Sequence, residues 1–541
     1  MAALHDEKSA TGTVEKLAQA NEIEVKVVRG SEAFNEALLK ERPSFRDWMT
    51  WRLLGCVLLG CFAQTMNGFD GSLFGGLSAG DQFINFFNGS KTGEWQAINS
   101  AFYQIGGICA LPFVGPALDT WGRKVGMIIG AFLIVVGTII NGTTLYDPGN
   151  TSQLQGGRFV LGFGVSIISA AGPIYVVETS HPAWRSVITA YCNTFWFTGS
   201  ILSSGAVRGA IVLKGNISWQ IPVWLQLFFP GLILLFVWFI PESPRWLFVN
   251  NKREQSRAVL AKWHGNGNNE SAWVTLQIAE YEEYLNTNGA DKRWWDYRAL
   301  FGSRSGRYRL MCNCLFSVFG QWSGNGALTY YLPAVLLTIG ITDSIKQANV
   351  NLGYACFQFF FALAGAAFVE RIGRRKLMLG SMASVTVTWI AMTAAAGTFN
   401  NTGETDQNAA NAMLAFIFIF GACFSFGITP LQALYPVEVL SFEQRAKGMA
   451  FSALCVNAAG LLNAYAWPIA LERIGWHTYI IFLIWCAIQF TVFYFFFPET
   501  RRRTLEELDK IFNSPNPVKT SLVPHKIAVD SEGTIVASED I

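Results

Sequence analysis

Apolar and polar stretches alternate along this chain with the regularity of a membrane protein. Apolar runs fall near residues 52–73, 97–118, 125–146, 157–179, 187–213, 221–240, 308–340, 350–369, 377–398, 411–436, 447–471 and 476–497. Each is long enough to cross a bilayer as a helix, which takes roughly 20 residues. The pattern predicts twelve transmembrane helices in two bundles, at 51–240 and 308–497, with a polar linker at 241–307 and polar tails at 1–50 and 498–541. Gly, Pro, Ser and Asn inside the runs fit such helices, because neighbouring helices satisfy the freed backbone.

The polar connections repeat themselves. GPALDTWGRK at Gly115–Lys124 returns as AAFVERIGRR at Ala366–Arg375, each between two apolar runs. Glu178 and Arg185 are matched by Glu438 and Arg445 at a constant offset of 260, and PESPRWL from Pro241 has a weaker partner in PETRRRTL from Pro498. Landmarks in the same order at nearly constant spacing mark a duplicated chain, and a duplicated bundle is the usual architecture for moving a solute by alternating access.

Composition agrees: 51% hydrophobic, 14% aromatic and only 14% charged residues are too apolar for a typical soluble protein. Lys and Arg collect at Arg123–Lys124, Arg185, the linker, Arg371–Lys376, Arg445–Lys447 and Arg501–Arg503, all on one side. By the positive-inside rule that side, the linker and both termini are cytoplasmic, and the plasma membrane is the expected location. Sequons at Asn88, Asn141 and Asn150 fall on the opposite side, where glycosylation and chance occurrence both remain open. The first tail reads as mobile and the chain after Leu508 as disordered, while the linker, with Trp263, Trp273, Trp294 and Trp295, suits short amphipathic helices bracing the two halves. The ten Cys lie in or beside apolar runs without paired spacing and read as packing residues. No ATPase-type phosphate loop is found, so transport must draw on a gradient.

These motifs resemble the major facilitator superfamily: Asp119, Gly122, Arg123 and Lys124, with Glu370, Gly373, Arg374 and Arg375 as the second copy. RFVLGFG from Arg158, PIYVVETSHPAWR from Pro173, PESPRWL from Pro241 and YPVEVLSFEQRAKG from Tyr435 resemble its sugar porter branch. GQWSGNGALTYYLP at Gly320–Pro333, with LQALYPVE, is most similar to fungal lactose-permease-like carriers. The resemblance implies an all-α major facilitator fold and a cytoplasmic charge latch that locks such carriers open to the outside. Its expected members are Asp119, Arg123, Glu178, Arg185, Glu242, Arg245, Glu370, Arg374, Arg375, Glu438 and Arg445. Ordinary positive-inside loops with incidental carboxylates are the alternative.

Asp70, in NGFDGSLFG of the first helix, is a carboxylate where lipid makes charge expensive. Arg158, opening the fourth helix, is its natural partner, since a nearby cation favours the ionised acid and burial the neutral one. In sugar porters the matching Asp and Arg serve proton coupling; a static ion pair or a solvated helix end are the alternatives. A neutral sugar needs directed hydrogen bonds and apolar ring contacts, which amides and aromatics supply. By motif resemblance the binding residues are Asn193, Gln321, Asn325, Gln358 and Asn457, with Trp322 as a stacking face and Tyr330 and Tyr331 at an outer gate. Any single amide can instead join helices.

Two departures from the hexose-carrier pattern stand out. Gly320 replaces a Gln, and Ala433 stands where such carriers tend to place a Trp. The lost indole opens the cavity, which suits a disaccharide such as lactose or cellobiose, with a hexose second. The expectation is therefore a sugar:proton symporter whose partners are a small sugar, a proton and the bilayer. A hexose facilitator and a non-transporting sugar sensor are the runner-up readings. No enzyme chemistry, cofactor, metal, nucleic acid or obligate protein partner is expected.

Overall fold

The computed structural model describes residues 37–38, 40–44, 46–144, 149–288, 298–403, 406–441, 445–501, 505–522, 525–529 and 535–540. The first half contains α1 Trp48–Leu77, α2 Gly93–Trp121, α3 Arg123–Gly142, α4 Thr151–Thr179, α5 Arg185–Ala210 and α6 Ile217–Phe239. The second contains α7 Arg304–Trp322, α8 Ser344–Ile372, α9 Arg374–Asn401, α10 Gln407–Gly427, α11 Arg445–Ile474 and α12 Thr478–Phe496. Length and hydropathy alone find nine spans among the described residues, the last of which, Lys447–Phe496, takes in both α11 and α12. The criterion passes over α5 and α7, whose hydroxyls, amides and arginines lower their hydropathy.

Each half closes around its own core. Met66, Met127, Ile134, Ile168 and Tyr175 are fully buried in the first half, and Phe316, Met378, Trp389, Phe420 and Phe482 in the second. Phe113, Phe132, Phe239, Phe360 and Phe495 point outward instead. So large an apolar surface is stable only against hydrocarbon. Small residues bring the helices close: a Cβ on Gly68 of α1 would meet the Trp196 carbonyl of α5 at 1.8 Å, and one on Gly199 would meet that of Thr65 at the same distance.

The two halves meet along α2–α11 and α5–α8. The duplicated charge motifs share one end of the bundle, called here the motif face. At the opposite face the halves are joined by several cross-contacts. Ser344 Oγ donates to Asp81 Oδ2 (3.2 Å), Asn351 Nδ2 to Ser204 Oγ (3.3 Å) and Arg208 Nε to Asn349 Oδ1.

Two tails differ from the sequence reading. In the linker, 289–297, with Trp294 and Trp295, lie outside the described residues, the Phe301 ring lies 6.4 Å from that of Phe451 on α11, and the hydrogen bonds described for 241–288 run to the first half, to the tail or within the linker. Here His264 Nε2 donates to the Thr179 carbonyl (3.0 Å) while its Nδ1 accepts from Gln277 Nε2 (2.8 Å), and the His181 ring lies 5.3 Å away. That donor pattern requires a neutral ring, and burial pushes His181 down to about 3 and His264 down to about 4. The first tail is anchored at its end: Glu41 takes the Ala272 amide (3.2 Å) and the Ser271 hydroxyl, and its carbonyl takes Trp273 Nε1 (2.8 Å).

The second tail continues as helices Leu505–Asn513 and Pro517–Ser521, then an antiparallel pair, β1 His525–Val529 and β2 Ile535–Asp540. Leu508, Ile511 and Phe512 are buried in the second core, and Arg309 of α7 bonds Asp509 at 2.5 Å with its guanidinium 4.4 Å from the Phe512 ring. The spacing 508, 511, 512 is a helical period within a charged run, too short to stand out in the sequence.

Candidate functional site

On the motif face the two halves build the same device twice. Gly122 and Gly373 start α3 and α9 at φ 99° and 97°, a backbone region that strains any other residue. The exposed amides that follow are taken by carboxylates: Glu242 accepts from the Arg123 and Lys124 N–H (3.2 and 3.4 Å), and Glu499 accepts from those of Arg374 and Arg375 (2.9 and 3.0 Å). A negative group suits a helix N-terminus. Lys124 Nζ then donates to the Ile240 carbonyl ending α6 (3.0 Å), and Arg375 Nη2 to the Tyr494 carbonyl ending α12 (2.6 Å).

The Arg side chains turn inward. Arg123 Nε and Nη2 reach the two oxygens of Glu178 at 2.8 and 3.0 Å, and Ser243 Oγ adds a bond at 2.5 Å. Arg374 does the same to Glu438 at 3.1 and 2.6 Å, with Thr500 Oγ1 at 2.6 Å. Among the described residues, the Arg123–Glu178 and Arg374–Glu438 pairs therefore each lie inside one half. Arg185 is not paired with Glu178, and its Nε is buried without a partner. Asp119 is largely exposed, 3.5 Å from Arg123, and its carbonyl accepts from Trp246 Nε1 (2.8 Å). Arg245, the residue before Trp246 on helix Pro244–Val249, is half-buried. The side chains of Glu370 and Arg445 lie outside the described residues. Glu499 was missed, although its place in PETRRRTL opposite Glu242 in PESPRWL was a sufficient signal.

Removing one partner of a buried ion pair leaves an uncompensated charge, which costs about 3–5 kcal/mol. Glu178 is 7% exposed, with Arg123 and Ser243 aimed at it. Glu178→Ala is expected to lower the unfolding temperature of the detergent-purified protein by several degrees, whereas Asp119→Ala, at an exposed site, leaves it nearly unchanged; equal transitions would refute the difference.

Toward the opposite face lies Asp70, 3% exposed in the last third of α1. Gln226, at the break within α6, donates from Nε2 to its Oδ1 at 2.8 Å, and Oδ2 has no partner. Arg158 does not touch it. Its Nε donates to the Asn99 carbonyl of α2 (2.6 Å), and its guanidinium stacks 4.0 Å from the Phe74 ring and 5.5 Å from that of Tyr103. The two charged groups thus share one cavity wall without forming a pair.

α7 breaks at Ser323–Gly324, where φ is 95° and a Cβ would strike the Trp389 ring at 2.3 Å. Short helices Asn325–Tyr330 and Leu332–Leu337 follow, so the span read as 308–340 is three pieces. The break presses Tyr330 onto α1: a Cβ on Gly75 would lie 2.1 Å from the Tyr330 carbonyl. Tyr331 donates to the Ala464 carbonyl at 3.0 Å and meets Ser100 of α2.

The amides are distributed around this break. Gln358 Nε2 donates to Asn325 Oδ1 (3.4 Å), which also accepts from Thr329 (3.2 Å). Asn193 Nδ2 bridges the halves to the Thr429 carbonyl at 2.8 Å. Gln321 is half-buried, and its carbonyl accepts from Asn463 Nδ2 at 2.7 Å. Asn457 bonds back into its own helix at the Ala453 carbonyl (2.9 Å) and borders Gly107 of α2. Trp322 is turned into packing: its Nε1 donates to the Ala459 carbonyl (3.1 Å) and its ring tilts against Trp485 at 5.6 Å. Gln432 and Asn463 were not foreseen. The Gln432 amide fills the space at Gly320, 2.8 Å from where a Cβ would stand, so the missing Gln side chain is replaced from the helix continuing α10. Asn141 is buried in α3 between α3 and α4, which removes it from the glycosylation candidates.

The profile of the family described as "Sugar (and other) transporter" matches residues 56–512. The high-affinity glucose transporter of Kluyveromyces lactis is 27% identical over 500 residues, 88% of each chain. The MFS-type transporter oryC of Aspergillus oryzae is 27% identical over 482 residues, 87% of this chain and 86% of that one. Among solved structures, the proton:xylose symporter XylE bound to 6-bromo-6-deoxy-D-glucose superposes with a TM-score of 0.70 at 19% identity, covering 85% of this chain and 99% of that one.

Proposed function

Because this chain belongs to the sugar porter family of the major facilitator superfamily, we propose that it moves a small sugar into the cell together with a proton, by alternating access across the plasma membrane. The observation that carries the coupling is Asp70: a buried carboxylate with one oxygen held by Gln226, the other unpartnered, and an arginine within the same cavity. Such a group is stable either ionised beside Arg158 or neutral in its apolar wall, and movement between the two is a proton load. The motif face is assigned to the cytoplasm, with both tails and the linker, and the opposite face to the outside. On that assignment the structure has its outer side shut, by Tyr330 on α1 and by the contacts of Arg208, Ser344 and Asn351. The proposed units are 1–50, 51–240, 241–307, 308–497 and 498–541, with the sugar held between the two bundles.

Gln321, Asn325, Gln358, Asn193 and Asn457 form the proposed sugar site, joined by Gln432, with Tyr330 and Tyr331 as its outer lid. Trp322 serves as support behind it. The motif-face carboxylates and arginines, including Arg185, Glu370 and Arg445, are assigned to a latch that re-pairs across the halves when the inner side closes. A small β-linked disaccharide such as lactose or cellobiose is the proposed cargo. A hexose is the second reading, favoured by the likeness to the high-affinity glucose transporter of Kluyveromyces lactis. Sugar-dependent proton influx in cells lacking their own carriers, scanned over mono- and disaccharides, tests both points. Influx with lactose or cellobiose is expected; preference for free hexoses would transfer the assignment to the second reading, and uptake without proton movement would make the protein a facilitator.

A further inference from the structure

The seam between α2 and α11 has two unlike sides. Toward the space between the bundles it is polar and closed: a Cβ on Gly107 would meet Asn457 Oδ1 at 2.9 Å, and one on Gly460 would meet Gln104 Oε1 at 3.2 Å. Asn99, Ser100 and Tyr103 of α2 reach Arg158 and Tyr331 on that side. On the other side the two helices part and leave an open groove of about 470 Å³. Ile98, Phe102 and Ile105 of α2 form one wall, and Ala458, Leu462 and Tyr465 of α11 the other. Both walls follow the spacing i, i+4, i+7, which puts each set on a single helix face. One wall belongs to each half.

Ile105, Leu462 and Tyr465 are 36%, 52% and 46% exposed, and the walls continue into Phe113 of α2 and Leu454 of α11, which also point outward. In a chain that spans a bilayer such a surface meets hydrocarbon, so whatever enters the groove is part of the bilayer. The Tyr465 hydroxyl is the only polar side-chain atom among the described lining residues. Nothing there can recognise a charged head group, which takes charged or multiple hydrogen-bonding partners. Seven residues of helix give the walls a length of about 10 Å, against about 15 Å for the hydrocarbon of one leaflet. The groove runs from about midway along α11 toward the face opposite the motifs. We propose that it is a lipid site, filled by one acyl chain of an outer-leaflet phospholipid, which bridges the two halves while the outer side is shut.

Within a bilayer no hydrophobic force draws helices together, and their association depends on van der Waals packing. A gap between them forfeits that packing outright. A chain that touches both walls restores it, but only while the walls stand at this separation. Rocking of the halves moves α2 relative to α11, so the bound chain favours the closed-outside arrangement over the others. This bridging step rests on the alternating-access reading, whereas the binding of the chain does not.

Binding is tested by cross-linking in phosphatidylcholine vesicles that contain a phosphatidylcholine with a diazirine at mid-chain. The two walls are expected to be labelled about ten-fold more than Phe239 of α6 and Phe495 of α12, exposed positions away from the seam. Ala458→Trp, which fills the groove from one wall, is expected to remove that excess. Even labelling of all these positions would overturn the inference, and so would labelling of the walls by a photoreactive sterol in preference to the chain. Bridging is tested with methyl-branched chains of the same length, which are thicker and are expected not to fit. A cysteine at Thr329, buried in the closed gate, should then react with an impermeant external thiol reagent about three-fold faster or more than in straight-chain vesicles. That difference should vanish in Ala458→Trp. Equal rates in the two lipids, or a difference that persists in the variant, would overturn the bridging step. Neither measurement involves sugar or proton movement, so a failure here is distinct from failure of the transport reading.

Discussion

Asp70→Asn is expected to reduce the accumulation ratio of the sugar to one while exchange of sugar across the membrane continues. The amide copies the shape of the protonated acid, and its Oδ1 can still accept from Gln226, which now donates at 2.8 Å. What is lost is the ability to carry and release a proton. A membrane potential of 100 mV supplies about 2.3 kcal/mol per charge, equivalent to about fifty-fold in concentration. All of that gain depends on the one titrating group, so the effect is close to total. Counterflow measured with labelled sugar in vesicles separates the two activities: continued concentrative uptake by the variant would remove Asp70 from the coupling step, and loss of counterflow as well would make it part of the sugar path.

The elements of the fold were legible to a degree that varied with their chemistry. The strongly apolar helices stand out by hydropathy, and the duplication located Gly122 with Gly373 and Glu178 with Glu438 before any geometry was known. The two most polar spans, α5 and α7, were also found, but the break in α7 was not, because Gly324 is one glycine among several and only the Trp389 ring against it shows why it is required. Partnerships were the least legible. Glu178 chooses Arg123 over Arg185, and Asp70 chooses Gln226 over Arg158, because the choice depends on which helices touch at the ends. Gln226 follows a Pro-containing apolar helix with no motif around it, so no spacing pointed to it. Glu499 is the opposite case. Its role was implied by the repeat and becomes plain once Glu242 is seen on the helix start after Gly122.

With Tyr330 as the proposed outer lid, Gly75→Val is expected to hold the outer side open and abolish uptake. A Cβ at 75 would lie 2.1 Å from the Tyr330 carbonyl and 3.0 Å from its carbon, both backbone atoms that cannot turn aside. Forcing extra methyl groups into a packed contact costs about 1–3 kcal/mol, which shifts the closed-to-open balance by about five- to 150-fold. Gly71, one turn earlier, is the control. Its Cβ would meet only the Tyr330 ring at 3.5 Å, an ordinary contact, so Gly71→Ala is expected to transport nearly as the unmodified protein does. A cysteine placed at Thr329, buried in the closed gate, reports the state: an impermeant thiol reagent added outside should label it faster in the Gly75→Val background. If labelling and uptake are both unchanged there, Tyr330 does not seal the path, and the contact at α1 is packing alone.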